Sequence, residues 1–424
     1  MRKKISALAK HPFVQGGIIL TFSNIITGFL NYLFNSLSAK ALGPAGYGEI
    51  TTLFSYLVVF SVPLGVISTD LIRRIGYLKS DKTNTILGWE SWIWKKIYQW
   101  RLLIVPYCLL TLIIPRLTNL SLFSSIALLI FIFLAFIGTF YNATIQGLQL
   151  FSIAAGLSIV SVLLKLVGPL LVSFHFGGVN LVIAVLVIGS FLLLPVYQII
   201  IHKKLINNQE KSITPVPLNK RIISLFINQN IIITTLSILA ITLFNNFDMM
   251  FAKKFFTSEM AGLYGAWNLL AKIVLYAGGP LSGLSFVFFS NQSYKKQHKK
   301  SLLFIIVGVF FVGVIMLVTY SLFGKLIVSL LFNNNYFVVI NFLPQAAIFG
   351  CFYSLISIIN GFFLANNSRY SLIITFLFPV YFISLILFGR SFSGLVNLNL
   401  LFVATTFIFY TIALFQVPSF QESK

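Results

Sequence analysis

Two lysines, Lys165 and Lys272, stand deep inside long apolar stretches with no carboxylate within a helical turn of either in sequence. A lysine at the centre of a membrane span costs roughly 2.5–3.5 kcal/mol on insertion, so ionisable groups kept there usually mark the path of a substrate or an ion. An ammonium in that position suits an anionic group such as a phosphate. Around Lys272 the helical period places Asn268, Tyr276, Gly279 and Gly283 on one face, which supplies hydrogen-bonding groups for phosphate or sugar. Asp248 lies in the preceding apolar segment. It either pairs with Lys272 and merely neutralises it, or binds a cation in its own right. A second polar stripe, Asn24, Gly28, Asn31, Asn35 and Ser38, falls on one face of the first apolar segment. Small and amide residues of this kind serve either close helix packing in the membrane or the wall of a wet cavity. The candidate substrate-binding residues are therefore Lys272, Lys165, Asp248, Asn268, Tyr276, Asn31 and Asn35.

Other chemistries find no support. The chain has eight carboxylates in all, no His or Cys pair at metal-ligand spacing and no Gly-rich loop ending in Lys-Ser/Thr. Cys108 and Cys351 both fall inside apolar segments and read as packing residues. The expectation is a protein that is not an enzyme and holds no cofactor and no metal, with any energy input coming from an ion gradient or from consumption of the cargo.

The elements that position these residues follow from composition. Of the 424 residues, 58% are hydrophobic and 9% charged, and mean hydropathy is +0.95, a balance that a water-soluble chain could not carry without exposing large apolar surface. About 20 apolar residues cross the hydrocarbon as a helix. Twelve such segments can be placed, at 13–39, 49–72, 101–118, 122–144, 153–175, 177–201, 222–251, 259–290, 301–331, 339–365, 370–389 and 397–417. The fold class expected is an all-α polytopic membrane protein. A net charge of +22 suggests nucleic acid at first sight, but 22 of the 30 lysines and arginines fall in the loops on one side of these segments. Positive-inside bias explains that distribution, makes nucleic acid an unneeded partner, and puts both termini in the cytoplasm.

The chain repeats itself. Ala39 to Tyr56 reads AKALGPAGYGEITTLFSY, and Ala252 to Leu270 reads AKKFFTSEMAGLYGAWNLL. In each, a span ends in Ala-Lys and a Gly-rich, Tyr-containing turn, Gly46-Tyr47-Gly48 or Gly262-Leu263-Tyr264-Gly265, is expected to open the next. Tyr47 matches Tyr264 and Pro63 matches Pro280 at one offset, and ahead of the turn Asn35 matches Asp248 at a slightly shorter one. Two homologous six-helix lobes follow, 1–206 and 221–424, joined by a polar, basic linker at 207–220 broken by Pro215 and Pro217. Internal repeats are a recurring transporter architecture, with substrate held where the repeats meet. Gly278-Gly279-Pro280 would weaken the eighth span and permit a bend. The longest loop, 73–100, carries four of the five tryptophans, and WESWIWKKIYQWR has the makeup of a helix lying among headgroups of an anionic leaflet.

Three stretches give this pattern a family likeness: the first hairpin with AKALGPAGYGEITTLFSY, the second with MAGLYGAWNLLAKI, and IQGLQLFSIAAGLSIVSVLLKL across the fourth and fifth spans. With twelve spans in two lobes, the chain resembles the Wzx-type O-antigen and polysaccharide flippases of the multidrug, oligosaccharidyl-lipid and polysaccharide exporter superfamily. The resemblance implies a cargo of polyprenyl-pyrophosphate-linked oligosaccharide, turned from the inner to the outer leaflet of the cytoplasmic membrane by alternating access. It implies as partners that lipid-linked oligosaccharide, membrane lipids, and a polysaccharide polymerase with other assembly proteins. The alternative within the superfamily is a drug or metabolite antiporter in which Asp248 binds Na+ or H+. A reading of another class, an intramembrane polysaccharide polymerase, is disfavoured because the outer loops are short.

Overall fold

The computed structural model describes residues 12–78, 82–206, 229–290, 298–366 and 368–416. Among these the chain is helical, with short 3-10 turns and no strand, as expected of a multi-pass membrane protein, since lipid offers no partner for an unpaired backbone group. The first half holds α1 (Pro12–Tyr77), α2 (Lys82–Gln99), α3 (Ile104–Thr118), α4 (Leu122–Gly147), α5 (Phe151–Ser173) and α6 (Val179–Ile206). The second holds α7 (Gln229–Phe244), α8 (Phe247–Phe255), α9 (Ser258–Ser290), α10 (His298–Leu331), α11 (Leu343–Ala365), α12 (Ile373–Phe388) and α13 (Phe392–Gln416). Among the described residues nine helices are long and apolar enough to cross a membrane, and ten if the bent pair α7 and α8 forms one span. The stretch Ile19–Gly76 contains two arms, and the 33-residue α9 is a further span in length, which brings the number to the twelve that hydropathy predicts.

Two expectations about the hairpins need correction. The first link is a single residue, Gly43, at φ 67 and ψ −179, a backbone conformation that only glycine adopts without strain. Pro44 follows at the start of the next arm, where its missing N–H would lack a helical partner anyway. Gly46-Tyr47-Gly48 and Gly262-Leu263-Tyr264-Gly265 are therefore not turns: both lie within helices. Their small residues serve a helix crossing instead. A Cβ on Gly48 would come within 2.9 Å of the Gly262 nitrogen, and one on Gly262 within 1.7 Å of the Pro44 carbonyl oxygen. Small residues are what lets backbones approach this closely in a membrane, where packing rather than hydrophobicity joins helices. α9 runs on as helix through Gly278-Gly279-Pro280. The breaks elsewhere lie at Asn245-Asn246, where α7 and α8 meet at 42°, and at Phe323 in α10.

The chain forms two compact units. One comprises the described residues of Met1–Ala41 and Phe60–Ile227, the other those of Leu42–Val59 and Asn228–Lys424. The second unit thus takes in an 18-residue stretch of the first half. The glycine crossing accounts for this, together with a buried ion pair between Glu49 and Lys253 and the fully buried Tyr47, which packs edge-on against Phe332 and Tyr336. In the first unit the core gathers at the end where Ile75, Ile86, Ile137, Tyr141, Ile145 and Ile201 meet. In the second it is aromatic: Phe244 touches Phe349, Tyr353, Tyr381 and Phe402, and Trp267 packs on Tyr264 and Phe349.

The glycine crossing yields a direct expectation. Gly262→Ala drives a methyl into backbone that has no room to yield, so about 1–3 kcal/mol of stability should be lost, the usual cost of overpacking. Melting of the purified protein in detergent reads this, and an unchanged Tm would show that the two arms do not need their close approach.

Candidate functional site

The break at Asn245-Asn246 gives α8 a helix start inside the second unit, and Asp248 stands in its first turn. A helix N-terminus carries partial positive charge and unpaired N–H groups, both of which favour a carboxylate. Asp248 is fully buried. One carboxylate oxygen accepts from the backbone N–H of Met249 at 2.8 Å. The other accepts from the Tyr264 hydroxyl, from Asn268 Nδ2 at 3.1 Å and from Asn399 Nδ2 at 3.3 Å. The Tyr381 hydroxyl in turn donates to Asn399 Oδ1 at 2.6 Å. Three elements, α8, α9 and α13, thus converge on one carboxylate, with α12 joining through Asn399, in a buried place where a polar group left unpaired is costly. The side-chain carbonyl oxygens of Asn245 and Asn268 are buried without a hydrogen-bond partner among the described residues.

Lys272, one helical turn beyond Asn268 on α9, is half-buried. Its Nζ donates to Asn246 Oδ1 at 3.3 Å, and Asn246 holds its own amide against the Thr242 carbonyl at 2.8 Å. Lys272 feels the charge of Asp248, but the two do not come within the 4.0 Å of an ion pair. The structure so brings Asp248, Asn268 and Lys272 into one neighbourhood without the direct pairing that the sequence left open. Tyr276 lies outside the residues whose side chains are described. Lys165 is half-buried on α5 in the first unit and takes part in interactions of its own. Asn31 and Asn35 are also in the first unit, half-buried on α1, and their amide nitrogens bond carbonyls one turn back, of Thr27 and Asn31, both at 2.8 Å. Along the same stripe Asn24 and Gly28 are exposed, so this face is not sealed by another helix of its unit.

Three members of the Asp248 network, Tyr264, Tyr381 and Asn399, are not among the residues singled out from sequence as a site. Tyr264 stands out there only as a repeat marker. Asn399 is one of two amides, with Asn397, at the start of the last apolar segment, and an amide within a span was the one available signal. A second polar cluster belongs to the first unit. Glu90 of α2, buried, accepts from the Tyr141 hydroxyl at 2.8 Å and Gln198 Nε2 at 3.0 Å and meets His202 Nε2 at 2.7 Å. Trp94 Nε1 donates to Tyr141 at 3.3 Å. Among the described residues no group of three His, Cys, Asp or Glu could hold a metal ion.

The fold matches known transporters over nearly its whole length. An inward-facing multidrug resistance MATE family transporter of the MOP superfamily superposes with a TM-score of 0.69 at 14% identity, covering 96% of this chain and 99% of its own. The lipid II flippase MurJ in an inward closed conformation superposes at 0.68 and 16% identity, covering 95% of this chain and 87% of its own. A MATE protein in the bent conformation gives 0.60 at 15% identity, covering 97% of each chain. No protein-family model matches the chain, and no curated protein sequence matches it significantly. At such identities the likeness is one of fold: the chain has the architecture that multidrug transporters and a lipid flippase share.

Proposed function

We propose that the chain is a flippase that turns a polyprenyl-pyrophosphate-linked oligosaccharide from the inner to the outer leaflet of the cytoplasmic membrane, by alternating access, for the assembly of a surface polysaccharide such as O-antigen or capsule. The observation that carries the reading is Lys272: a mid-span ammonium held by an amide rather than by a carboxylate, and so able to meet an anionic headgroup. Within the first unit, Lys165 and the half-buried amides Asn31 and Asn35 are further candidates to meet the cargo. Support also comes from the fold, which serves a lipid II flippase among its known users. Downstream partners are the polymerase and the other assembly proteins that use the cargo.

The second reading is a cation-coupled drug or metabolite antiporter. It is favoured by Asp248, a buried carboxylate of the kind that a coupling cation or proton would need. Fold does not separate the two. Proteoliposomes containing the purified protein separate them directly. A fluorescent polyprenyl-pyrophosphate-linked saccharide should become accessible to an external quencher only when the protein is present. Failure of that assay, together with gradient-driven efflux of a cationic dye, would replace the flippase by the antiporter.

The same reading fixes sidedness, from the clustering of cations. In a protein with Cys108 and Cys351 replaced by alanine, single cysteines at Lys203 and Lys299 should react with an impermeant maleimide only from the cytoplasmic face, and one at Arg390 only from outside. Labelling of Lys203→Cys from outside would invert the topology and with it the direction proposed for transport.

A further inference from the structure

α2 has two unlike faces. Thr83, Ile86 and Glu90 are buried, and Ile93 and Ile97 pack on the core of the first unit. Glu90 is the one carboxylate of this helix, and its contacts with Tyr141, Gln198 and His202 staple α2 to α4 and α6. With its acid turned inward, the outer face carries no acidic side chain: Trp92, Trp94, Lys95, Tyr98 and Trp100 are exposed beside the uncharged Ser91 and Gln99, and Arg101 follows them. The cations are set against rings, the Arg101 guanidinium 4.6 Å from the centre of Tyr98 and Lys96 Nζ 5.8 Å from that of Trp100, close enough for the ring quadrupole to hold them.

The level of this face in the membrane follows from what comes next. One 3-10 turn, Arg101–Leu103, joins α2 to α3. The side chains of Ile104, Val105, Leu109 and Leu112 on α3 are more than half exposed in a protein whose surroundings there are lipid. Trp100 and Arg101 therefore sit where the hydrocarbon begins, and the exposed face of α2 lies among the headgroups. Amphipathic rings are stable at that level, and lysines and arginines held there meet the phosphates of lipids.

We propose that the outer face of α2, with Lys95, Lys96 and Arg101, is a binding surface for anionic phospholipid headgroups of the leaflet into which α3 descends. The carboxylate-free face and the ring-stacked cations commit it to a negative partner. The inward staple at Glu90 makes it part of a rigid unit rather than a loose tether. This surface is independent of what the protein transports.

Native mass spectrometry of the full-length protein, released from nanodiscs containing equal phosphatidylglycerol and phosphatidylcholine, tests it. The wild type should retain phosphatidylglycerol in preference. Each charge removed should weaken that preference about five-fold, since a cation near an anionic surface contributes on the order of 1 kcal/mol. Arg101→Gln should thus show one such step and Lys95→Gln/Lys96→Gln/Arg101→Gln the full loss, while Lys95→Arg/Lys96→Arg/Arg101→Lys keeps the preference and controls for folding. Lys325→Gln/Arg369→Gln/Arg390→Gln removes the same number of charges from exposed positions of the second unit and should leave the preference intact. Equal loss in that control would reduce the effect to net charge, and undiminished preference in the α2 variant would place lipid selection elsewhere. Either result overturns the proposal.

Discussion

Replacing Lys272 by glutamine should slow cargo translocation by about ten- to hundred-fold while the protein reaches the membrane at wild-type abundance. A hydrogen bond to a charged group is worth roughly 1.5–3 kcal/mol, which converts to that range of rates if the bond to the cargo's diphosphate is made during passage. Folding should be spared. Lys272 donates only to Asn246 in the described structure, and glutamine, though one atom shorter, keeps a neutral donor on the same side of the helix. Lys272→Arg should retain part of the activity, because charge persists while its planar fork presents the donors differently. The double change Asp248→Asn with Lys272→Gln should not restore transport, since the two charges are not in contact and neither exists only to neutralise the other. Export at the wild-type rate by a well-expressed Lys272→Gln protein would remove Lys272 from the site. Recovery in the double variant would show that pairing, distant as it is here, was its whole role.

What the sequence made legible was what lipid demands of every residue. Each crossing needs a long uninterrupted apolar run, so the spans could be located one by one. The asymmetry of the cations then suggested which ends face the cytoplasm. Links were harder. In AKALGPAGYG three glycines compete for one turn, and no local rule distinguishes Gly43, which breaks the helix, from Gly48, which meets Gly262 across a helix crossing. That distinction depends on a partner helix more than 200 residues away. The same distance hid the Asp248 network. Lys272 and Asn268 share a face of one helix and were found by its period, whereas Tyr381 and Asn399 approach from two other helices, and no periodicity relates them to Asp248. Glu90 was obscured differently. It lies in a run where tryptophans occur on every face, so neither period nor polarity signals that the acid turns inward and the lysines outward.

Removing the carboxylate at Asp248 should be more damaging to the fold than any change at Lys272. Asp248→Ala leaves the Tyr264 hydroxyl, Asn268 Nδ2, Asn399 Nδ2 and the Met249 N–H without their acceptor. Asn399 can still donate to Tyr264, 2.6 Å away, so part of the network closes on itself. Each buried donor left unpaired costs about 1–3 kcal/mol, and with that partial repair the expected loss is about 3–5 kcal/mol. Such a loss is large against the 5–15 kcal/mol that commonly separates folded from unfolded protein, and it should appear as a lower Tm and a reduced yield of monodisperse protein. Asp248→Asn keeps the shape and one acceptor oxygen but turns an NH2 toward at least one donor. Its loss should be smaller, and its transport phenotype can then be measured on folded protein. An Asp248→Ala protein that melts like the wild type would mean that these four donors find other acceptors, and that the convergence of α8, α9 and α13 does not depend on the charge at its centre.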